Sequence, residues 1–306
     1  MKIIFLGTPE FAVPALKALA ESQRHQVLGV VTQPDRPVGR KNIITPPPVK
    51  VTALEYGIPV FQYEKIRVEG IEDLKNLGAD IMITCAYGQI LSREIIDICK
   101  YGIINIHASL LPKYRGASPI QYAVINGEKI TGVTIMKTEE GLDTGDIIES
   151  YETEIGECET AGELFDRLSN LGAEKICSVL DKIESGNAVY TPQDDSLASV
   201  VKTIKKEDAI VDFSKNSETV KNLINGMNPW PIAYTFFSGK KIKFYKATKS
   251  EGQGKVGEVI IADKRLVIAC GEGAVEILEI QEEGGKMMSA LAYLNGRKLK
   301  VGDILG

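Results

Sequence analysis

Two polar side chains at alternate positions of one apolar segment are the first candidates for chemistry. Asn105 and His107 lie at the end of Gly102–His107, whose other residues are mostly isoleucine. Alternate residues of a strand point to the same face, and ligands bind at the carboxyl ends of parallel strands in open α/β sheets. Asp143, in a turn between two expected strands, can reach the same edge. An amide, an imidazole and a carboxylate offer a donor to an oxyanion, an acid or polarising group, and a base or orienting group.

The two histidines of the chain support different expectations. A histidine at a strand end can also be a structural residue, so spacing alone leaves the catalytic and structural interpretations of His107 open. His25 lies in a polar segment, residues 21–26, and is expected at the surface. Because the chain has so few histidines, a histidine-based zinc site is not expected, and no metal is predicted.

The elements that must position these side chains alternate between strand and helix patterns. Short apolar runs typical of buried parallel strands are separated by amphipathic segments typical of helices. Strands are expected at residues 2–6, 27–32, 58–61, 80–86, 102–107 and 132–137. Helices are expected at residues 8–19, 49–56, 71–77, 91–99, 119–124 and 160–183. This alternation predicts an α/β fold with a Rossmann-like parallel sheet between helices.

The alternation is lost over residues 185–208, where glycine, asparagine, proline and aspartate predict irregular backbone. The predicted domains are therefore residues 1–189, a linker at 190–207, and residues 208–306. The second domain is expected to begin with a helix at 217–227 capped by Ser217. Short strands follow at 233–237, 241–246, 255–261, 266–269 and 274–280, with a helix at 287–294. Such strands with glycine-rich turns predict a small β-barrel of the OB type.

Gly7 ends the first expected strand, where a dinucleotide-binding fold places its glycine fingerprint. Residues 7–12 read Gly-Thr-Pro-Glu-Phe-Ala and lack the second and third glycine of that motif. Without them the backbone cannot approach a pyrophosphate closely, which argues against a nicotinamide-dependent enzyme. Gly7 itself is equally consistent with a tight turn.

Charge is distributed unevenly along the chain. The net charge of −5 divides into −9 for residues 1–200, from 19 Lys and Arg against 28 Asp and Glu, and +4 for residues 201–306, from 17 against 13. Contact with a polyanion is therefore expected to use the second part. No apolar run reaches the roughly 18 residues that cross a bilayer, so no membrane contact is expected. Five cysteines without a C-x-x-C pair predict reduced thiols in a cytoplasmic protein.

The catalytic candidates stand in stretches that resemble a known enzyme family. Residues 105–116, Asn-Ile-His-Ala-Ser-Leu-Leu-Pro-Lys-Tyr-Arg-Gly, are similar to the core motif of formyltransferases that use 10-formyltetrahydrofolate. Asp143, in the sequence Gly-Leu-Asp-Thr-Gly-Asp, matches their second motif. Residues 32–40, 46–50 and 228–231 resemble the branch of that family that formylates methionine carried by a tRNA.

This resemblance implies an enzyme that transfers a formyl group from 10-formyltetrahydrofolate, the co-substrate, to initiator methionyl-tRNA for translation initiation. It implies that Asn105 donates to the tetrahedral oxyanion and that His107 polarises or protonates the same region. Asp143 would orient His107 and help to deprotonate the attacking amine. Neither a metal nor a covalent enzyme intermediate is implied. The implied folate contacts are Ser109, Leu110, Leu111, Pro112, Tyr87, Gly88, Gln89, Ile90 and Leu91.

Two basic regions are candidate tRNA contacts. The loop at residues 33–50 holds five prolines among 18 residues, which is long for a connection inside a compact domain. A stiff, positive loop can insert against the acceptor stem of a tRNA, where recognition favours unpaired ends. The simpler interpretation is a solvated, flexible loop. The alternating strand at 240–246 suits backbone contact by a barrel. The predicted tRNA-binding residues are Arg36, Arg40, Lys41, Lys50, Lys241 and Lys243.

The main alternative is a folate-dependent formyltransferase acting on an amino-sugar nucleotide, which would share the three catalytic candidates. The proline-rich basic loop and the basic second domain favour tRNA over that acceptor. A relative acting on glycinamide ribonucleotide would not need the last 100 residues. A formyl-folate hydrolase would replace the amine by water, and a non-catalytic tRNA-binding module would not need Asn105, His107 and Asp143. The protein is expected to act as a monomer.

Overall fold

The computed structural model describes residues 1–39, 41–296 and 299–306, which form two compact units. The N-terminal unit comprises Met1–Gly116, Gly132–Glu152 and Phe165–Val200. The C-terminal unit comprises Ala117–Thr131, Thr153–Leu164 and Val201–Gly306. The predicted domain limits at residues 189 and 208 stay a prediction, which expression of the separate fragments would test.

The first part of the chain alternates strands and helices, as the sequence predicts. In chain order the elements are β1 (Lys2–Gly7), α1 (Val13–Ala20), β2 (Gln26–Thr32), β3 (Arg36–Val38), β4 (Ile43–Thr45), α2 (Pro48–Glu55), β5 (Val60–Gln62), α3 (Ile66–Glu69), α4 (Ile71–Leu77), β6 (Ile81–Cys85), α5 (Arg93–Ile96), β7 (Ile103–His107), β8 (Arg115–Gly116), α6 (Pro119–Ile125), β9 (Ile130–Lys137), β10 (Ile147–Glu154) and α7 (Ala161–Glu184). The helix expected at 91–99 is only the short α5, because Ser92 before it is extended.

The sheet of the N-terminal unit has the strand order β10-β9-β7-β6-β1-β2-β5. β1 runs parallel to β2 and β6, and the parallel pairing continues through β5 on one side and β7 on the other. β9 pairs antiparallel to β7, so the sheet is parallel-rich rather than wholly parallel. The residues Ile3–Leu6 of β1 are fully buried, which explains their continuous apolar run.

The register of β6, β7 and β9 brings polar residues side by side. Thr84 of β6 pairs with Asn105 of β7. His107, two residues further along β7, pairs with Thr134 of β9. The Asn and the His therefore share the carboxyl end of one buried strand, as their spacing predicts.

The proline-rich loop at residues 33–50 contains a β-hairpin that the sequence did not predict. β3 and β4 pair antiparallel, with Val38 opposite Ile43 and Pro37 opposite Ile44. Its apolar side chains are largely exposed. The ends of the loop are joined by an ion pair between Lys50 and Asp35 at 2.8 Å. The Lys50 ammonium and the Gln62 amide both donate to the Asp35 carboxylate and hold its pKa below the usual value.

The C-terminal unit contains α6 and, in the last third of the chain, an antiparallel sheet with further helices. After β11 (Val200–Val201), its elements are α8 (Ser217–Gly226), β12 (Ala233–Phe237), β13 (Lys240–Ser250), β14 (Val259–Ala262), β15 (Leu266–Ala269), β16 (Ala274–Glu282), β17 (Met288–Ser289) and α9 (Ala290–Asn295). The sheet order is β12-β13-β16-β15-β14, with β17 beside β16. α8 is capped by Asn216, whose side chain accepts from the Thr219 N–H. The prediction of Ser217 as the cap is wrong by one residue, because Ser217 is already helical.

The end of the chain joins the two edges of this sheet. The Leu305 N–H donates to the carbonyl oxygen of Gly257, just before β14, at 2.9 Å. The Gly306 N–H donates to the Phe236 carbonyl oxygen of β12 at 3.0 Å. This closure agrees with the predicted OB-like barrel. Among the described residues, no helix combines the length and apolar character needed to span a bilayer.

Candidate active site

The orientation of the His107 ring is set by the backbone. Its Nε2 lies 2.9 Å from the Tyr114 carbonyl oxygen. Because a carbonyl only accepts, Nε2 carries the hydrogen in this contact. Nδ1 faces the other way, 3.7 Å from Oδ2 of Asp143. Nδ1 is therefore the ring nitrogen whose protonation can change during a reaction at this edge.

Asp143 stands in a turn whose backbone conformation is unusual for a residue with a side chain. Its φ is +51°, in the left-handed region that aspartate tolerates better than most residues. Its Oδ2 accepts from the Gly116 N–H at 2.8 Å. The same oxygen faces His107, so the carboxylate is placed to orient the ring and to stabilise its charged form.

Asn105 has an amide whose orientation is set by its neighbour on β6. Its Oδ1 accepts from the Thr84 hydroxyl at 2.9 Å. Nδ2 is thereby left as the group that can donate to a ligand at the carboxyl end of β7. This agrees with the predicted role of Asn105 as a donor to an oxyanion.

Thr84→Val is expected to lower kcat about tenfold, because an unheld amide spends less time in the productive orientation. Thr84→Ser, which keeps the hydroxyl, is the matched control and is expected to stay within about twofold of wild type. Rapid-quench measurement of the chemical step for both variants checks this. Equal rates for Thr84→Val and wild type would show that Asn105 needs no support from β6.

The predicted folate segment that follows His107 is held against β9. The Thr134 hydroxyl donates to the Ser109 carbonyl oxygen at 2.7 Å and accepts from the Leu111 N–H at 3.1 Å. Ser109 is fully buried, and its hydroxyl donates to the Lys113 carbonyl oxygen at 2.7 Å. Leu111 is buried, whereas Leu110 and Pro112 are partly exposed. Folate contact by these four residues stays a prediction.

The second predicted folate segment follows β6 in a sharply turned conformation. Ala86 and Gly88 have φ of +47° and +85°. The Tyr87 carbonyl oxygen accepts from the Thr8 hydroxyl at 2.9 Å, and burial raises the pKa of the Tyr87 phenol. Gln89 donates to the Tyr63 carbonyl oxygen at 2.8 Å, and Leu91 is partly buried.

Ile90, in the middle of this second segment, is 77% exposed. An apolar side chain exposed at the carboxyl end of a parallel strand suits a flat heterocycle that covers it. The Asn105 amide can donate to a formyl oxygen, and His107 Nδ1 can accept a proton from an amine. These observations fit a folate that carries a formyl group, and the folate contacts stay a prediction.

The predicted tRNA-binding residues differ in how far their charges are already paired. Arg36 of β3 is exposed and pairs with Glu64 at 2.5 Å. Lys41 is exposed. Lys50 contacts both Asp35 oxygens and Gln62, which accounts for its three donors. Arg40 lies outside the described residues. Their contact with RNA stays a prediction.

The two lysines predicted on the barrel lie on β13 opposite aromatic residues. Lys241 pairs with Phe236 and Lys243 with Tyr234 of β12. The Lys241 ammonium lies 4.0 Å from the centre of the Tyr234 ring. A lysine and aromatic rings on one strand pair are the combination that single-stranded nucleic acids bind. The sequence pattern located the lysines but not these rings.

His25, expected at the surface, is buried, and the surface prediction is wrong. The Met1 amino group lies 3.3 Å from its Nδ1, and Asp181 Oδ1 lies 3.3 Å from its Nε2. Burial lowers the pKa of His25, and the nearby amino group acts in the same direction. Within the described ranges, His25, Asp181 and Glu184 have the composition of a metal site. The Met1 ammonium already supplies a cation 3.4 Å from Glu184, so these contacts form an ion-pair cluster.

Comparison with known proteins places both parts of the chain in one family. Residues 1–180 match the family model described as formyl transferase, and residues 203–298 match the model of its C-terminal domain. A methionyl-tRNA formyltransferase of Citrifermentans bemidjiense is 46% identical over 308 residues, covering 100% of this chain and 96% of the relative. One from Ruminiclostridium cellulolyticum is 44% identical and covers 100% of both chains.

Solved structures with a similar fold are more distant in sequence. An N-formyltransferase from Helicobacter canadensis, in complex with folinic acid and dTDP-3-aminofucose, has a TM-score of 0.71 at 19% identity. The match covers 90% of this chain and 98% of that one. HypX from Aquifex aeolicus, in complex with tetrahydrofolic acid, has a TM-score of 0.65 at 19% identity. That match covers 99% of this chain and 48% of the HypX chain. At this identity the likeness shows the fold alone.

Proposed function

This chain belongs to the methionyl-tRNA formyltransferase family, and we propose that it transfers the formyl group of 10-formyltetrahydrofolate to the α-amino group of methionine on initiator methionyl-tRNA. Relatives with that name are 44–47% identical over essentially the full chain. The observation that carries the proposed mechanism is the position of Asp143 Oδ2 3.7 Å from His107 Nδ1, with Asn105 on the same face of β7 as His107. An amide donor, a ring nitrogen able to exchange a proton and a carboxylate are what acyl transfer to an amine requires.

Each of the three groups has one task in this reaction. 10-Formyltetrahydrofolate supplies an electrophilic formyl carbon, which the methionine amine attacks. Asn105 Nδ2 donates to the oxyanion that develops on the formyl oxygen. His107 Nδ1 takes the proton that the amine loses as the new carbon–nitrogen bond forms, and it returns that proton to the folate nitrogen as the old bond breaks. Asp143 stabilises the charged ring between the two transfers, so protons and bonds balance without a covalent enzyme intermediate.

The magnitudes expected for these tasks are substantial. Removing one preorganised oxyanion donor typically costs about 3–4 kcal/mol of barrier, because such donors act where water is excluded. A positioned general base contributes about 10²–10⁴-fold. We propose that the protein acts as a monomer. We also propose a cytoplasmic location, because the proposed acceptor is used in translation there.

The proposed acceptor is tested by offering acceptors separately to the enzyme with 10-formyltetrahydrofolate. Initiator methionyl-tRNA is expected to give a kcat/KM at least about 100-fold above a dTDP-linked amino sugar, since specificity of that size needs only about 3 kcal/mol. A faster reaction with the amino sugar would establish the alternative acceptor. Elongator methionyl-tRNA in the same series measures how strictly the initiator is selected.

Lys241→Ala is expected to weaken tRNA binding and to lower the slope of log affinity against log salt by about 1, as the loss of one phosphate contact does. Binding of 10-formyltetrahydrofolate should not change. Lys264→Ala removes the same charge from an exposed position of the C-terminal unit and is the matched control. Titrations of tRNA at several salt concentrations check this. Equal slopes for the two variants would remove Lys241 from the RNA-binding surface.

A further inference from the structure

The side chain of Gln193 bridges the two loops that carry the site. Its Nε2 donates to the carbonyl oxygens of Asp143 at 2.8 Å and of Gly145 at 2.7 Å. Its Oε1 accepts from Nε of Arg115 at 3.0 Å and from Nη2 at 2.8 Å. One amide thus makes four hydrogen bonds, two to the Asp143 turn and two to the residue before Gly116.

The orientation of this amide follows from the chemistry of its partners. A guanidinium only donates and a carbonyl oxygen only accepts, so Oε1 must face Arg115 and Nε2 must face the turn. The Arg115 side chain is only 7% exposed, and its Nη2 also donates to the exposed carboxylate of Asp195 at 2.7 Å. Leaving a buried guanidinium without one of its acceptors costs free energy. The bonds from Arg115 therefore fix the position of the Gln193 amide.

The turn that Gln193 holds is one that needs support. Asp143 has a left-handed φ of +51°, which costs conformational energy in a residue other than glycine. Its Oδ2 accepts from the Gly116 N–H and faces His107 Nδ1. Gln193 therefore fixes the backbone of the Asp143 turn. It also holds Arg115, the residue before Gly116, whose N–H donates to the Asp143 carboxylate.

A second contact from the same segment supports the other side of the histidine. The Ser199 hydroxyl accepts from the Tyr114 N–H at 2.9 Å, and the Ser199 carbonyl oxygen accepts from the Arg115 N–H at 2.8 Å. Tyr114 supplies the carbonyl oxygen that holds His107 Nε2. Residues 193–199, whose composition predicts part of a linker, thus contact both site loops.

We propose that Gln193 is a positioning residue for this reaction: it holds Asp143 beside His107 Nδ1, where the carboxylate stabilises the charged ring between the two proton transfers. The proposal rests on the proposed function, since it assigns Gln193 a role through the Asp143 carboxylate. It predicts that loss of the two donors to the turn slows the chemical step and leaves binding of 10-formyltetrahydrofolate intact.

The kinetic test uses two variants that separate the bonds of Gln193. Gln193→Met removes all four, and Gln193→Glu keeps an acceptor for Arg115 but places an oxygen against the turn carbonyls. Both are expected to lower kcat about 10–100-fold with little change in KM for the folate, since a misplacement of about 1 Å costs that much. In an Asp143→Ala background, Gln193→Met is expected to lower kcat by less than a further twofold, because Gln193 acts through the carboxylate that is already absent. A wild-type rate for Gln193→Glu, or an equal loss in both backgrounds, would overturn the proposal.

A second measurement does not depend on the substrate. Hydrogen exchange of the Gly116 amide, which Asp143 protects, is expected to be faster in Gln193→Met and to approach that in Asp143→Ala. The Leu111 amide, bonded to the Thr134 hydroxyl of β9, should stay protected in both and serves as the internal control. Asp195→Asn changes an exposed partner of Arg115 and is expected to leave the Gly116 exchange and the rate unchanged. Unchanged Gly116 exchange in Gln193→Met would contradict the proposal even if the enzyme proved to use another acceptor.

Discussion

Replacing His107 by alanine is expected to lower kcat for formyl transfer by at least about 100-fold, and by up to about 10⁴-fold if the proton transfer is fully rate-limiting. The reason is geometric: Nε2 is held by the Tyr114 carbonyl oxygen, and Nδ1 is the nitrogen beside Asp143. No other side chain of the described site offers a ring nitrogen. Rapid-quench transfer with saturating 10-formyltetrahydrofolate and methionyl-tRNA measures the loss directly.

The control for this prediction separates chemistry from packing, because His107 is buried. His107→Gln can keep a donor toward Tyr114 while it removes the titratable nitrogen. It is expected to melt near the wild-type temperature and to be as slow as the alanine variant. Glu140→Gln, which neutralises an exposed carboxylate beside the Asp143 turn, should leave the rate unchanged. Near-wild-type turnover in His107→Gln would exclude proton transfer by this ring.

Asn105→Asp is expected to have a comparably large effect, a loss of about 10³-fold in kcat. The change removes the Nδ2 donor and places a carboxylate where the oxyanion develops, so it costs at least the loss of one oxyanion donor. Asn105→Ala, which removes the donor without adding charge, should lose about 10²-fold. The ordering of the two variants distinguishes donation to an oxyanion from a packing role.

Affinity for the folate provides the check on this second prediction. Neither Asn105 variant should weaken binding of 10-formyltetrahydrofolate by more than about threefold, since the proposed bond forms mainly in the transition state. Asn170→Asp, an equal change of charge at an exposed position of α7, is expected to have no effect on either quantity. If Asn105→Asp turned over faster than Asn105→Ala, the oxyanion role would be wrong.

The features that the sequence predicts well depend on short-range patterns. The spacing of Asn105 and His107 predicts a shared face, because alternation in a strand is local. The buried strands β1, β6 and β7 are predicted by unbroken apolar runs, which arise when a parallel sheet is covered on both faces. The glycine-rich setting of Asp143 predicts a turn, and the structure places its carboxylate beside His107.

The features that the sequence did not predict depend on contacts between distant residues. Gln193 reaches the Asp143 turn from 50 residues away, and composition alone suggests a linker there. His25 is buried because the Met1 amino group and Asp181 surround it, although its neighbours in sequence are polar. Thr84 gains its role only through the register of β6 and β7. Register and long-range polar contacts leave no periodic signal in a single sequence.

The most direct test of the central claim follows one labelled formyl group. The wild-type protein receives 10-formyltetrahydrofolate labelled in the formyl carbon, together with initiator methionyl-tRNA and a dTDP-linked amino sugar in equal amounts. After a single turnover, the tRNA ester is hydrolysed and the labelled products are separated. The label is expected in formylmethionine, and this product should be lost in His107→Gln. Label recovered as free formate or on the amino sugar would contradict the account.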